Sequence, residues 1–324
     1  MGKQHVLTMI QPRPVAMAAL EENYTIHRFD KADDKDAFLA EHGGKCTGIV
    51  TNGHEPLTRA QLDHLPNLEI VTCVSAGFES IDLDALRERG IAFTNTSYVL
   101  CDDVADVALM LTLACRRELV AAHAYVKFGD WGRKGMYPLM TSMKGKKAGI
   151  LGFGAIGSAI ARRFEPLGLE IGYCARSKKP VEHAYFGTAT ELAAWADILV
   201  VIVPGGPETE GMINAGVLEA LGPTGTLINV ARGSVVNEAD LVNALEMGVV
   251  GNAGLDVYLN EPNPDPALTR LHNVTLYPHH ASGTVETRDA MAMSTVENLE
   301  AWYAGRALIS PVTDVKAPGG SVSA

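Results

Sequence analysis

The chain has 324 residues, 47% of them hydrophobic and 20% charged, which suits two globular domains and excludes an intrinsically disordered protein. A formal net charge of -11 argues against a nucleic-acid partner, and no apolar run or signal-peptide pattern indicates a membrane protein. Five dispersed cysteines without CxxC spacing favour a reduced, cytoplasmic protein over a disulfide framework, and they predict no metal site.

The first hundred residues alternate short apolar runs with polar helical patterns, which predicts a parallel α/β domain. The predicted strands are 5–10, 24–29, 46–52, 68–75 and 91–95, and the predicted helices lie near 14–21, 35–42, 59–65 and 83–89.

A long apolar helix is predicted after this domain. It opens at Asp102 and Asp103 and has apolar residues on nearly every face from Val104 to Val126, so it must be buried on most sides. We expect it to bridge two domains and to form a homodimer interface through residues 101–140. The alternative is a helix buried wholly within one subunit.

The segment 147–176 reads as strand, glycine-rich turn, helix and second strand. Gly152 allows a tight turn, Gly154 allows close approach of a pyrophosphate, and Gly157 allows the helix to pack on the strand. These residues predict a dinucleotide site, and the alternative is an ordinary glycine-rich turn. The expected contacts are Gly152, Phe153, Gly154, Ala155, Ile156 and Gly157.

The end of the second strand indicates which dinucleotide binds. An NAD-binding domain would place a carboxylate there to bond the ribose 2′-hydroxyl, whereas this chain has Ala175 followed by Arg176, Ser177 and Lys178. A basic turn with a hydroxyl suits a 2′-phosphate, because charge-assisted hydrogen bonds are worth roughly 1.5 to 3 kcal/mol. The predicted cofactor is therefore NADP(H). The alternative is a solvated basic turn.

Further strands are predicted at 198–203, 226–230, 252–255 and 273–277, a helix at 285–303, and a mobile tail at 317–324. Four polar residues follow these strands, where ligands of parallel sheets bind: Arg232, Asp256, Glu261 and His279. Arginine holds a carboxylate bidentately and polarises a carbonyl, while histidine donates a proton and is supported by a neighbouring carboxylate. The set suits hydride transfer to a 2-oxo acid.

At these positions the chain resembles the D-isomer-specific 2-hydroxyacid dehydrogenase family. The resemblance extends over nearly the whole chain, and the segments that carry it are VSAGFESID (74–82), VLCDDVADVALML (99–111), LGFGAIG (151–157), NVARGSVVNEADLVNAL (229–245), AGLDVYLNEP (253–262) and LYPHHASGTVETR (276–288). The ARSKK turn resembles the NADPH-dependent glyoxylate and hydroxypyruvate reductase branch, and SGTVETR resembles plant hydroxyphenylpyruvate reductases.

The resemblance implies a role for each matching residue. Arg232 would orient the substrate, His279 would be the acid/base and Glu261 its partner. Substrate would contact Arg232, His279 and the backbone of Val74, Ser75, Ala76 and Gly77; further cofactor contacts would be Val203, Pro204, Thr209, Val230, Ala231, Asp256 and His279. His280 is expected to be a neighbouring pocket residue. Trp131 and Tyr137 suit either of two roles, reaching a partner subunit's pocket or anchoring a dimer.

The expected architecture is α/β, with two Rossmann-like domains and a cleft between them. Residues 1–98 and 289–324 would form a flavodoxin-like substrate domain, and residues 99–288 a doubly wound dinucleotide-binding domain. The expected function is NADPH-dependent reduction of small 2-oxo acids, such as glyoxylate, hydroxypyruvate or larger aryl or alkyl pyruvates, to D-2-hydroxy acids. The alternatives are a non-catalytic NADP(H)-sensing protein on the same scaffold and an NAD-dependent D-3-phosphoglycerate-type dehydrogenase.

Overall fold

The computed structural model describes residues 2–315, which form two compact units. One unit runs through Leu100 and resumes at Gly283, and the other runs from Cys101 to Ser282. The sequence placed these divisions at 98/99 and 288/289. The second division falls earlier because Thr284 caps an unbroken helix that starts at Val285. The tail predicted to be mobile, 317–324, lies outside the described residues.

The first unit alternates strands and helices as predicted. Its elements are β1 (His5–Thr8), α1 (Pro14–Asn23), β2 (Thr25–Arg28), α2 (Lys35–His42), β3 (Gly48–Thr51), α3 (Arg59–Asp63), β4 (Ile70–Cys73), α4 (Leu83–Glu88) and β5 (Ala92–Thr94). All strands pair in parallel in the order β2-β1-β3-β4-β5, which is the flavodoxin-like order.

Local sequence explains why these elements begin and end where they do. The central strands β3 and β4 are buried at every residue, as expected of strands covered on both faces by helices. Asp34, Thr58 and Asp82 each accept a hydrogen bond at a helix N-terminus from the backbone N–H three residues on.

The second unit holds a larger sheet. Its elements are α5 (Cys101–Arg116), α6 (Leu119–Lys127), α7 (Asp130–Lys134), β6 (Lys147–Leu151), α8 (Ala155–Phe164), β7 (Glu170–Cys174), β8 (Ala184–Phe186), α9 (Ala189–Trp195), β9 (Ile198–Val201), α10 (Ala215–Leu221), β10 (Thr226–Asn229), α11 (Glu238–Glu246), β11 (Asn252–Leu255), α12 (Pro266–Thr269) and β12 (Val274–Leu276). Seven parallel strands follow the order β12-β11-β10-β9-β6-β7-β8, a doubly wound sheet. The order reverses between β6 and β9, where such sheets bind ligands.

The prediction of one buried helix from Val104 to Val126 is wrong. The helix α5 ends at Arg116, and Glu118 takes a left-handed conformation with φ 46° before α6 starts. Residues of α5 are buried against α8 and the strands β10, β11 and β12. No residue of α6 is fully buried, and the side chains of Leu119, Val120 and Val126 are exposed.

The last helix, α13 (Val285–Tyr303), returns the chain to the first unit. It packs on α1 and β4, with Val296, Leu299 and Trp302 in the shared core. The segment that follows pairs with β5 through an N–H donated by Val312 to the Phe93 carbonyl at 2.8 Å. Among residues 2–315, no helix is both long and apolar enough to cross a membrane.

Candidate active site

The three glycines after β6 have different surroundings. Gly152 has φ +102°, and a Cβ there would lie 2.7 Å from the Ile202 carbonyl oxygen. A Cβ on Gly157 would lie 2.2 Å from the Gly152 carbonyl oxygen, so both glycines allow close packing of backbone. A Cβ on Gly154 would meet nothing within 4 Å. The turn therefore leaves open space at the N-terminus of α8, which fits the pyrophosphate of a dinucleotide.

The other residues of this turn pack into the domain core or begin helix α8. Phe153 is buried with its ring 4.4 Å from that of Tyr173, so its side chain belongs to the domain core. Ala155 and Ile156 form the first turn of α8, whose backbone N–H groups have no partner within a helix.

The basic turn after β7 is fixed through its backbone. The buried Tyr173 hydroxyl accepts a hydrogen bond from the Lys179 N–H at 2.8 Å, and the Tyr185 hydroxyl donates to the Ala175 carbonyl at 3.3 Å. Arg176, Ser177 and Lys178 are exposed between these two ties. Their side chains are available to a phosphate group, and Ala175 brings no carboxylate that would repel it.

The remaining predicted cofactor contacts lie in the loops after β9 and β10. The Thr209 hydroxyl donates to the Pro204 carbonyl at 2.7 Å, which folds the loop that begins at Val203. Val230 and Ala231 are buried at the end of β10. This places the predicted cofactor contacts of both loops at the carboxyl edge of the sheet, beside the strand-order reversal.

Arg232 is held in place by Asn229, a residue that the sequence did not single out. The buried Asn229 amide donates to the Arg232 carbonyl at 3.0 Å and accepts from the Ala231 N–H at 3.0 Å. The Arg232 guanidinium itself donates to the Ala231 carbonyl at 2.7 Å. A buried asparagine as the last residue of an apolar strand was the available signal.

His279 and Glu261 form a direct pair. The two side chains meet at 2.5 Å between His279 Nδ1 and Glu261 Oε2. The second carboxylate oxygen accepts from the Tyr258 N–H at 2.9 Å, which fixes the carboxylate plane. Because Nδ1 faces Glu261, Nε2 is the ring nitrogen directed away from the carboxylate. The pair has the geometry of a general acid with its orienting group.

Asp256 organises the backbone around this histidine. Its carboxylate accepts from the N–H groups of His280 at 2.8 Å and Ala281 at 3.1 Å, and its carbonyl accepts from the His279 N–H at 2.7 Å. Burial raises the pKa of the Asp256 carboxyl, and the two N–H donors oppose that effect. Contact of Asp256 with a nicotinamide stays a prediction.

Gly233 and Glu238 shape the loop that carries Glu261, and the sequence did not indicate either. A Cβ on Gly233 would lie 1.9 Å from the Tyr258 carbonyl, so only glycine fits there. The Glu238 carboxylate accepts from the Leu259 N–H at 3.1 Å. Because β10, β11 and β12 are neighbours, Arg232, Asp256 and His279 follow adjacent strands at one edge.

The predicted substrate loop, residues 74–77, follows β4 in the first unit. The Val74 N–H donates to the Thr51 carbonyl at 2.9 Å and so extends the pairing of β3 with β4. Val74 cannot offer that amide to a ligand while the pairing is intact. Any backbone contact with substrate falls to Ser75, Ala76 and Gly77.

Comparison with known proteins identifies relatives of this chain. The chain is 44% identical to a hydroxyphenylpyruvate reductase from Plectranthus scutellarioides over 294 residues, 90% of this chain and 94% of the relative. It is 42% identical to a glyoxylate/hydroxypyruvate reductase from Arabidopsis thaliana, with the same coverage of each chain.

A crystal structure is similar over nearly the full length. The NADPH-dependent glyoxylate/hydroxypyruvate reductase from Sinorhizobium meliloti, in complex with NADP and malonate, has a TM-score of 0.89 and 39% identity, covering 99% of this chain and 100% of that one. The family model for the D-isomer specific 2-hydroxyacid dehydrogenase NAD binding domain matches residues 109–281. The chain belongs to the D-isomer specific 2-hydroxyacid dehydrogenase family.

Proposed function

We propose that the protein is an NADPH-dependent reductase of small 2-oxo acids, yielding D-2-hydroxy acids. The observation that carries the proposal is the His279–Glu261 pair at 2.5 Å, at the sheet edge that also holds Arg232 and the open glycine turn. The relatives that share this fold are named reductases of glyoxylate, hydroxypyruvate and hydroxyphenylpyruvate.

Each residue of the set has one task in this reaction. The bound nicotinamide would supply the hydride. Arg232 holds the substrate and polarises its carbonyl, because a guanidinium stays charged and binds oxygen atoms through two parallel donors. His279 donates the proton from Nε2 as the carbonyl oxygen gains charge, and Glu261 orients the ring and stabilises the imidazolium.

The reaction is tested by supplying purified protein with glyoxylate, hydroxypyruvate, pyruvate or phenylpyruvate and either NADPH or NADH. We expect oxidation of NADPH with at least one small 2-oxo acid. Binding of NADPH without turnover of any of them would instead support a nucleotide-sensing protein. An intact Arg232, Glu261 and His279 favours the enzyme.

NADPH preference is assigned to the turn Arg176–Ser177–Lys178. The matched test compares Arg176→Ala with Arg270→Ala, an exposed arginine in the same unit that lies outside the site. Arg176→Ala should raise KM for NADPH about tenfold and leave KM for NADH nearly unchanged. Arg270→Ala should change neither. Equal effects on both cofactors would reject the phosphate assignment.

The proposed assembly is a homodimer through residues 101–140. This stretch exposes a run of large apolar side chains, among them Phe128 at 67%, Trp131 at 63% and Leu139 at 92%. Exposed apolar clusters of this kind mark interaction surfaces. Light scattering should give twice the chain mass, and Phe128→Asp should yield monomers. A wild-type monomer would contradict the proposal.

Trp131 can be assigned by separating assembly from catalysis. If Trp131 reaches the partner subunit's pocket, Trp131→Ala raises KM for larger 2-oxo acids while the dimer persists. If it anchors the dimer, the same variant dissociates.

A cytoplasmic location is also proposed, because all five cysteines are free and buried, as suits a reducing compartment.

A further inference from the structure

The carbonyl groups of Val74, Ser75 and Ala76 are all turned toward one neighbouring segment. The Val74 carbonyl accepts from the Thr96 hydroxyl at 3.0 Å, the Ser75 carbonyl from the Thr96 N–H at 3.2 Å, and the Ala76 carbonyl from the Asn95 side-chain amide at 2.9 Å. Three successive carbonyls thus point at Asn95 and Thr96, directly after β5.

Peptide planarity turns this observation into a statement about the amides. In a trans peptide the C=O of one residue and the N–H of the next point in opposite directions. The N–H groups of Ser75, Ala76 and Gly77 therefore point away from Asn95 and Thr96. Successive N–H groups on one side of a bend form a concavity that binds anions.

The loop is also supported at its far end. A Cβ on Gly53 would lie 1.9 Å from the Gly77 carbonyl oxygen, so the two backbones are in direct contact. Any side chain at position 53 would push Gly77 out of place. The loop is thus confined at Gly77 and held by hydrogen bonds from Val74 to Ala76.

Asn95 is itself fixed by a chain of hydrogen bonds from α13. The Ser310 hydroxyl donates to the Asn95 carbonyl at 2.6 Å, and the Asn298 amide donates to that hydroxyl at 3.4 Å. The Asn95 side-chain amide also donates to the Ser97 hydroxyl at 2.8 Å. Its orientation toward Ala76 is therefore set before any ligand binds.

We propose that Asn95 and Thr96 are positioning residues that hold the amides of Ser75, Ala76 and Gly77 in place for the substrate carboxylate. The inference rests on the proposed function, because it takes the ligand to be a 2-oxo acid. Neither side chain needs to touch the substrate, since each acts through a loop carbonyl.

The test measures binding of oxamate, an unreactive 2-oxo acid analogue, by calorimetry on NADP-saturated protein, together with KM for the turned-over 2-oxo acid and for NADPH. Thr96→Val removes the hydroxyl and keeps the shape, Thr96→Ser keeps the hydroxyl, and Asn95→Ala removes the amide. Thr72→Val is the matched control, since the buried Thr72 hydroxyl donates to the Ile49 carbonyl at 3.0 Å within the same sheet.

We expect Thr96→Val and Asn95→Ala to weaken the binding of oxamate, and to raise KM for the 2-oxo acid, by about threefold to tenfold. KM for NADPH should be unchanged. Thr96→Ser should bind oxamate as tightly as the wild type. Thr72→Val should lose thermal stability but keep its affinity for oxamate. The inference is overturned if oxamate binds folded Thr96→Val as tightly as wild type, or if Thr72→Val weakens it equally.

A failure of the proposed function has a different signature. In that case the wild-type protein reduces none of the 2-oxo acids, whatever the variants do. Oxamate affinity still decides the inference, because it requires no turnover. If Asn95→Ala does not fold, the comparison of Thr96→Val with Thr96→Ser is sufficient.

Discussion

His279 is one of two non-glycine residues with positive φ among residues 2–315, at +48°. A left-handed backbone costs such a residue on the order of 1–3 kcal/mol and persists where the surroundings enforce it. Here the Asp256 carbonyl binds the His279 N–H at 2.7 Å and Glu261 binds the ring. These two hydrogen bonds hold the strained residue and fix the imidazole relative to the sheet edge.

His279→Asn is the variant that tests this residue most cleanly, because asparagine tolerates the left-handed backbone. We expect kcat to fall by roughly 10²- to 10⁴-fold, the usual contribution of a positioned general acid. KM for NADPH should stay within about twofold. The control variant His280→Asn should have near wild-type turnover in steady-state kinetics. If His280→Asn lost activity and His279→Asn kept it, His280 would be the acid.

Glu261→Gln tests the carboxylate without removing its bulk. The amide can still accept from the Tyr258 N–H, but it cannot balance a positive charge on His279, so kcat should fall about tenfold to a hundredfold. Glu238→Gln is the matched control, since the Glu238 carboxylate accepts from the backbone N–H of Leu259 in the same loop. Similar losses in both variants would mean that loop shape, and not charge, supports His279.

At the scale of elements, two glycines of the turn before α8 have different roles, Gly157 in packing and Gly154 in cofactor binding. Gly157→Ala forces a Cβ to within 2.2 Å of the Gly152 carbonyl, so we expect a loss of about 1–3 kcal/mol of folding free energy. Gly154→Ala has an extended backbone and nothing within 4 Å, so the fold should tolerate it while the methyl group obstructs the pyrophosphate. Denaturant unfolding should show the loss of stability in Gly157→Ala, and NADPH titration should show the loss of affinity in Gly154→Ala. Unchanged NADPH affinity in Gly154→Ala would reject the turn as the site.

Sequence reading worked best for elements buried on both faces. The strands β3, β4, β9 and β10 are buried at every residue and were predicted within a few residues. It missed β8, where two of three residues are exposed at the sheet edge. It also joined α5 to α6, because apolar residues resume at Leu119, directly after the left-handed Glu118.

The candidate site shows the same limit. Motif spacing identified Glu261 and His279 because their residue types are specific to the chemistry, and the structure brings the two together. Asn229, Asn95 and Thr96 were missed, because each acts by bonding backbone that is distant or generic in sequence. Such pairings exist only after the strands are in register.

For the whole molecule, buried thiols predict an alkaline limit to stability. Burial raises the pKa of Cys73 and of Cys115 to about 11, above the ordinary value of 9.0. A raised folded-state pKa means that the stabilisation is fully present below pH 9 and is lost as the pH rises through about 11. We expect urea unfolding to show a loss of about 2–3 kcal/mol per thiol over that window. The decline should be shallower in Cys115→Ala; an equal slope would assign the effect to other groups.

Because β5 is completed by residues that follow α13, the first unit is assembled from both ends of the sequence, whereas Cys101–Ser282 is continuous. During synthesis on the ribosome, the later unit has its whole sheet available while the earlier one still lacks a helix and an edge. The nascent chain should therefore become protease-resistant first in its middle, and the N-terminal sheet should wait for translation of residues beyond 300. A chaperone that shields the exposed β4 and β5 surfaces in that interval would raise the yield of native protein.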